Sequence, residues 1–136
     1  MDTSVLLRAV LGERGRLREW SRSERWISSE LVRLECLRTI DRARVRLRLA
    51  DRAVSARRAA VLEHLRAFEL VGLQAPVLER AADPFPTSLG TLDAIHLASA
   101  LLARDRYSDL VLATHDEELA IAAAAMGFDV VGVGSG

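Results

Sequence analysis

Cysteine occurs once in this chain, at Cys36, and lysine does not occur at all. A lone cysteine rules out an internal disulfide framework and a multi-cysteine zinc site. Cys36 falls on an apolar helical stretch, where a thiol packs as a small hydrophobe. All 19 basic residues are arginine, which a GC-rich genome explains without any appeal to function. Aromatic residues make up only 4% of the chain against 50% for hydrophobic residues as a whole, so leucine, valine and alanine must build the core. No apolar run approaches the roughly 20 residues of a membrane span. The first residues carry Asp2 and Arg8 and lack the long apolar stretch of a secretory signal. A cytoplasmic location without membrane association is the expectation.

What is present is charge of both signs, unevenly placed. Residues 1–66 hold 16 Arg against 9 acids, whereas residues 67–136 hold 3 Arg against 10 acids. A basic half beside an acidic half suits a polyanion held near a metal site, or a charged protein partner; ordinary solvated helix faces are the alternative. The 136 residues suffice for one domain with a real core.

Apolar spacing and chain breakers predict alternating helices and strands. A helix capped by Thr3 or Ser4 runs to Gly12, and residues 16–23 form a second short one. Gly12-Glu13-Arg14-Gly15 lacks a following Lys-Ser/Thr and is a turn, not a phosphate loop. Residues 26–28 read as a strand. Ser28 or Ser29 then caps a helix reaching the low 40s, with Glu30 as a capping acid and a stripe of Leu31, Leu34, Glu35, Leu37 and Arg38 widened by Val32, Cys36 and Ile40. The basic run Arg42, Arg44, Arg46, Arg48 and Arg52 marks a junction with a helix extending to about residue 67. Next come a strand at 68–73, a short helix at 77–82, and a loop stiffened by Pro84 and Pro86. A helix capped by Thr91 runs to about 103. The clearest strand is 109–114, followed by a helix from 117 to 126 closed by Gly127 and a strand at 129–133. Residues 134–136 form a frayed tail. Such alternation implies an α/β fold, with a mainly parallel sheet between helix layers.

Four acids stand in unusual places. Asp93 lies in the first turn of the 91–103 helix and starts a mostly apolar stripe. Glu35 leans into the apolar side of its helix. Asp116 follows the 109–114 strand, and Asp2 precedes the first helix. In parallel sheets ligands gather beyond the carboxyl ends of the strands, where these four carboxylates can converge. A helix-start acid favoured by the macrodipole is the plainer account of each one singly. Clustered carboxylates repel by about 4 kcal/mol per pair at ~4 Å and an effective dielectric of 20. A divalent cation relieves this, and all-oxygen donors favour Mg²⁺ or Mn²⁺. Such an ion supports phosphodiester hydrolysis by activating water and neutralising phosphoryl charge. His96, one turn after Asp93, could meet that carboxylate or a substrate, or be a satisfied helix histidine; His115 reads as a loop residue.

At these residues the sequence resembles the PIN-domain ribonucleases of the VapC toxin family, from type II toxin–antitoxin systems. The similar segments are Asp2-Thr3-Ser4-Val5-Leu6-Leu7, Leu31 through Arg38 around Glu35, Leu92 through Ala100 around Asp93, and Thr114 through Leu119 around Asp116. The resemblance implies a three-layer α/β/α sandwich over residues 1–133 and a Mg²⁺-dependent endoribonuclease. It implies Asp2 and Asp93 as metal ligands, with Glu35 and Asp116 completing the acidic pocket. Ser4 or Thr114 would support the site by hydrogen bonds. It also implies an RNA substrate such as transfer or ribosomal RNA, a homodimer, and a cognate antitoxin; a PIN-like module that binds without cutting is the alternative. An apolar first strand ending at the first acid is expected of the family. Only Met1 precedes Asp2, so the natural start is expected upstream.

Overall fold

The computed structural model describes residues 25–134, so Asp2, Thr3, Ser4 and the two helices expected before residue 24 lie outside the described residues. Among the described residues the order is β1 (Trp26–Ser29), α1 (Leu31–Arg46), α2 (Asp51–Leu65), β2 (Phe68–Val71), α3 (Ala75–Ala82), α4 (Thr91–Arg104), β3 (Val111–Ala113), α5 (Glu117–Ala125) and β4 (Asp129–Val131). The architecture is the expected α/β sandwich of helices and parallel strands. The parallel pairing is divided into two halves. β1 pairs with β2, Trp26 opposite Phe68, and β3 pairs with β4, Val111 opposite Asp129. Trp26 and Phe68 stack with ring centroids 6.1 Å apart, pinning the register of the first pair. β1 and β3 both line a cavity of about 550 Å³ between the halves, which reaches His96.

Each half is built on a helical crossover, as parallel strands require. The α1–α2 hairpin links β1 to β2 and buries Val32, Cys36 and Ile40 against Val54, Val61 and Leu65. Cys36 is a packed thiol, as expected. The stripe of α1 is centred differently from the sequence reading: Leu34 is 57% exposed, and Val32, Cys36 and Ile40 form the inward row at helical spacing. Glu35 sits at the edge of that row. In the other half α5 links β3 to β4 and packs Leu119, Ala122 and Ala123 on Leu112 and Phe128.

α4 bridges the halves. Leu97 joins the core of the β3–β4 half, while Ile95 and Ala98 pack with Leu31 and Val77 on the other side. Its small residues Ala94, Ala98 and Ser99 are buried, permitting close approach on both flanks. Its cap differs from expectation. Gly90 is the N-cap, with extended backbone, and Thr91 is already helical with no capping bond. Glu30 is corrected too: it occupies the N-cap position of α1, but its side chain makes no capping bond there, and its Oε1 accepts from the backbone N–H of Leu73 at 2.9 Å, fastening α1 to the loop after β2.

Two helix ends follow from local chemistry. At the close of α5, Gly127 has φ +94°, Gly127 N–H donates to Ala124 O and Phe128 N–H to Ala123 O, each at 3.0 Å. This is the glycine-terminated Schellman closure that the sequence predicts. At the close of α1 the same left-handed position holds Arg48, φ 51°, and Leu49 N–H donates to Arg44 O at 3.1 Å. An L-residue there stores strain of about 1–2 kcal/mol.

Candidate active site

Ser29 ends β1, and its Oγ accepts from Leu31 N–H at 3.2 Å, starting α1 at the carboxyl end of the strand. Glu35 follows one turn later. Its Oε1 meets Nε2 of His96 at 2.5 Å, with the Glu35 side chain 21% exposed and that of His96 only 5%. The tautomer that satisfies this contact carries its proton on Nε2 and donates it to the carboxylate. Nδ1 is buried and has no hydrogen-bond partner among the described residues, so it is better served by a lone pair than by a second N–H. His96 thus joins Glu35 and does not serve as a substrate group at the surface.

Asp93 occupies the first turn of α4, three residues before His96. Residues at that spacing share a helix face with Cβ atoms about 5–6 Å apart. His96 thus ties Glu35 to the helix that carries Asp93, although the two acids come from different halves of the sequence. The amino end of α4 favours the Asp93 carboxylate by about 0.3–1 kcal/mol.

Asp116 is placed by a separate device. Thr114 prolongs the pairing of β3, its N–H donating to Val131 O at 3.1 Å, and is fully buried. Its Oγ1 accepts from Asp116 N–H at 3.0 Å. His115 Nδ1 donates to Gly132 O at 2.6 Å, tying the loop to the end of β4. Asp116 Oδ1 accepts from Leu119 N–H at 2.8 Å, making Asp116 the N-cap of α5. One carboxylate oxygen is committed to that cap.

Of the four acids singled out from the sequence, Glu35 is held by His96, and Asp93 lies three residues before that histidine on α4. Asp116 stands at the end of β3, and Asp2 is outside the described residues. Among the described residues no group of three His, Cys, Asp or Glu side chains stands close enough to hold a metal ion. The acids expected to form the pocket are all carboxylate-oxygen donors, which suits Mg²⁺ or Mn²⁺ in chemistry, and Asp2, the remaining expected ligand, is outside the described residues. Periodicity alone did not identify His96 as the partner of Glu35. The available signal was that two helices each carry one hydrogen-bonding side chain in an otherwise apolar row, and buried polar groups must find partners.

The PIN domain family model matches residues 1–125, and the chain belongs to that family. The fold is therefore of nuclease type. No curated protein matches the chain.

Proposed function

We propose that the chain is a metal-dependent endoribonuclease that hydrolyses RNA phosphodiester bonds, and the toxin of a type II toxin–antitoxin system. PIN domains are generally nucleases, which supports the reaction class. The observation that carries the reading is the Glu35–His96 contact beside Asp93. A nearly buried histidine holds one carboxylate, and the helix that supplies it carries another in its first turn, at the edge of the sheet where α/β folds place ligands. Core packing alone gives no reason to hold two acids there.

In this reading Asp2 and Asp93 hold Mg²⁺, or Mn²⁺, and Glu35 and Asp116 complete the acidic pocket. Bound there, a divalent cation would neutralise charge developing on the phosphoryl oxygens and favour deprotonation of the attacking water. Asp93 presents its charge from the first turn of α4. His96 prevents Glu35 from swinging into solvent. Thr114 and His115 brace the loop that carries Asp116. A structured RNA such as transfer or ribosomal RNA, a cognate antitoxin, a homodimeric state and a cytoplasmic setting belong to the same proposal. The capping role of Asp116 favours one other reading, a PIN-like module that binds RNA or a partner without cutting.

The test is incubation of total cellular RNA with Mg²⁺ or with EDTA, using the wild type and Asp93→Asn, with Mg²⁺ binding followed by calorimetry. Discrete fragments and a binding heat that both require Asp93 are expected. Intact RNA and no Mg²⁺ heat from a folded wild-type protein would overturn the proposal in favour of the non-cutting module.

A further inference from the structure

We infer that Arg42 and Arg46 form a phosphate-binding track leading outward along α1 from Glu35, and that an RNA strand lies along it; the inference rests on the nucleic-acid reading of this site. The α1 helix runs unbroken from Leu31 to Arg46. At 100° per residue, Arg42 and Arg46 project within about 20° of the direction of Glu35, and they stand about 10 Å and 16 Å beyond it along the axis. Thr39 lies between Glu35 and Arg42 on this side of the helix. Its Oγ1 donates to Glu35 O at 2.8 Å and accepts from Arg42 Nη2 at 3.3 Å, which holds the Arg42 guanidinium along the stripe.

Two arginines on other faces of α1 are held in ion pairs. Arg38 pairs with Asp41 at 3.1 Å, and Arg44 with Asp51 at 2.8 Å. Arg42 and Arg46 are exposed and have no carboxylate within ion-pair distance among the described residues. Of the three α1 arginines without such a partner among the described residues, Arg42 and Arg46 share the face of the site acid and Arg33 leaves from the opposite side. A single acid at one end and two uncompensated guanidinium groups beyond it match a polyanion whose reacting phosphate sits at the acidic end. For a stacked strand rising ~3.4 Å per nucleotide, the track reaches phosphates about three to five nucleotides from that point. An acidic protein segment would meet the same arginines, and the salt dependence of RNA affinity measured below decides between the two.

The experiment measures affinity for a fluorescently labelled ten-nucleotide single-stranded RNA of mixed sequence, in EDTA, from 50 mM to 400 mM salt. The proteins are the wild type, the R42Q/R46Q double variant, and R33Q, whose side chain leaves α1 about 160° from Glu35. Each phosphate contact contributes ~0.7 to the slope of log K against log salt for single strands, so the double variant is expected to lower the slope by about 1.4. It then binds about 25-fold more weakly at 0.1 M salt than a simple extrapolation from 1 M gives for the wild type, while R33Q keeps the wild-type slope. An unchanged slope in R42Q/R46Q, an equal per-charge fall in R33Q, or no RNA binding by the wild type at 50 mM salt overturns the track. EDTA keeps the proposed chemistry out of the binding measurement: a slope difference in EDTA together with intact RNA when Mg²⁺ is supplied refutes the nuclease reading alone.

Discussion

Breaking the contact between His96 and Glu35 should cost more than either residue's share of ordinary packing, and a double-mutant cycle isolates that excess. His96→Ala removes a donor from a carboxylate that is 21% exposed, so solvent recovers part of the loss. Hydrogen bonds to charged groups are worth about 1.5–3 kcal/mol, and partial resolvation places this one near the lower figure, about 1.5 kcal/mol. The missing ring leaves a void of ~60 Å³, which at ~24 cal/mol per Å³ adds about 1.5 kcal/mol. The variant should therefore lose about 3 kcal/mol, a fall in Tm of about 9 °C at ~3 °C per kcal/mol for a chain of this length. Glu35→Ala strands the buried Nε2–H and should cost about 2 kcal/mol. The double variant should lose about 3.5 kcal/mol, not the sum of about 5, because each deletion removes the penalty left by the other. Urea denaturation followed by circular dichroism gives all three values. A double variant additive within ~0.5 kcal/mol would refute the argument that His96 exists to hold Glu35.

Three further outcomes follow from local geometry. Asp116→Asn should keep the α5 cap and lose little stability, whereas Asp116→Ala should lose about 1 kcal/mol by thermal melting; Mg²⁺ affinity that falls in both would separate a metal role from the cap, and affinity that falls in neither would assign Asp116 to the cap alone. Arg48→Gly should raise Tm by about 2 °C, because relief of 1–2 kcal/mol of left-handed strain exceeds the ~1 kcal/mol of added unfolded-state entropy; a lower Tm would contradict the strain argument. Gly127→Ala should destabilise by about 1–2 kcal/mol, since its φ of +94° suits only glycine and the new Cβ would press on the Arg104 guanidinium at 3.4 Å; an unchanged urea midpoint would refute it.

The sequence made the elements legible where composition and geometry agree. Gly127 closes α5 because only glycine adopts that φ cheaply, and the residue type alone announces it. Residues 109–114 read as a strand because a short apolar run between polar flanks has few other uses, and β3 occupies its centre. The misreadings share a cause: each turned on what stands against the residue in the fold, which its own type does not announce. Glu30 has the composition of a helix-start acid, but its long chain reaches Leu73, whose N–H would otherwise lack this acceptor. Thr91 has the hydroxyl of a cap, but Gly90 before it already supplies the extended backbone that a cap requires. Leu34 matched a helical stripe drawn through Leu31 and Glu35, but α2 approaches from the side of Val32, Cys36 and Ile40.

The same distinction governs the site. Periodicity put Glu35 and Asp93 each on a helix face, and the carboxyl-end rule put both at one edge of the sheet, but the 61-residue separation between Glu35 and His96 lies beyond any local pattern. What closes that distance is α4, whose buried alanines and Ser99 let it lie against both halves of the divided sheet. The acids that define the candidate chemistry are therefore positioned by the least chemically distinctive residues of the chain. A substitution that enlarges Ala94 or Ala98 acts on that chemistry by moving α4, and so by separating His96 from Glu35, before it touches any carboxylate.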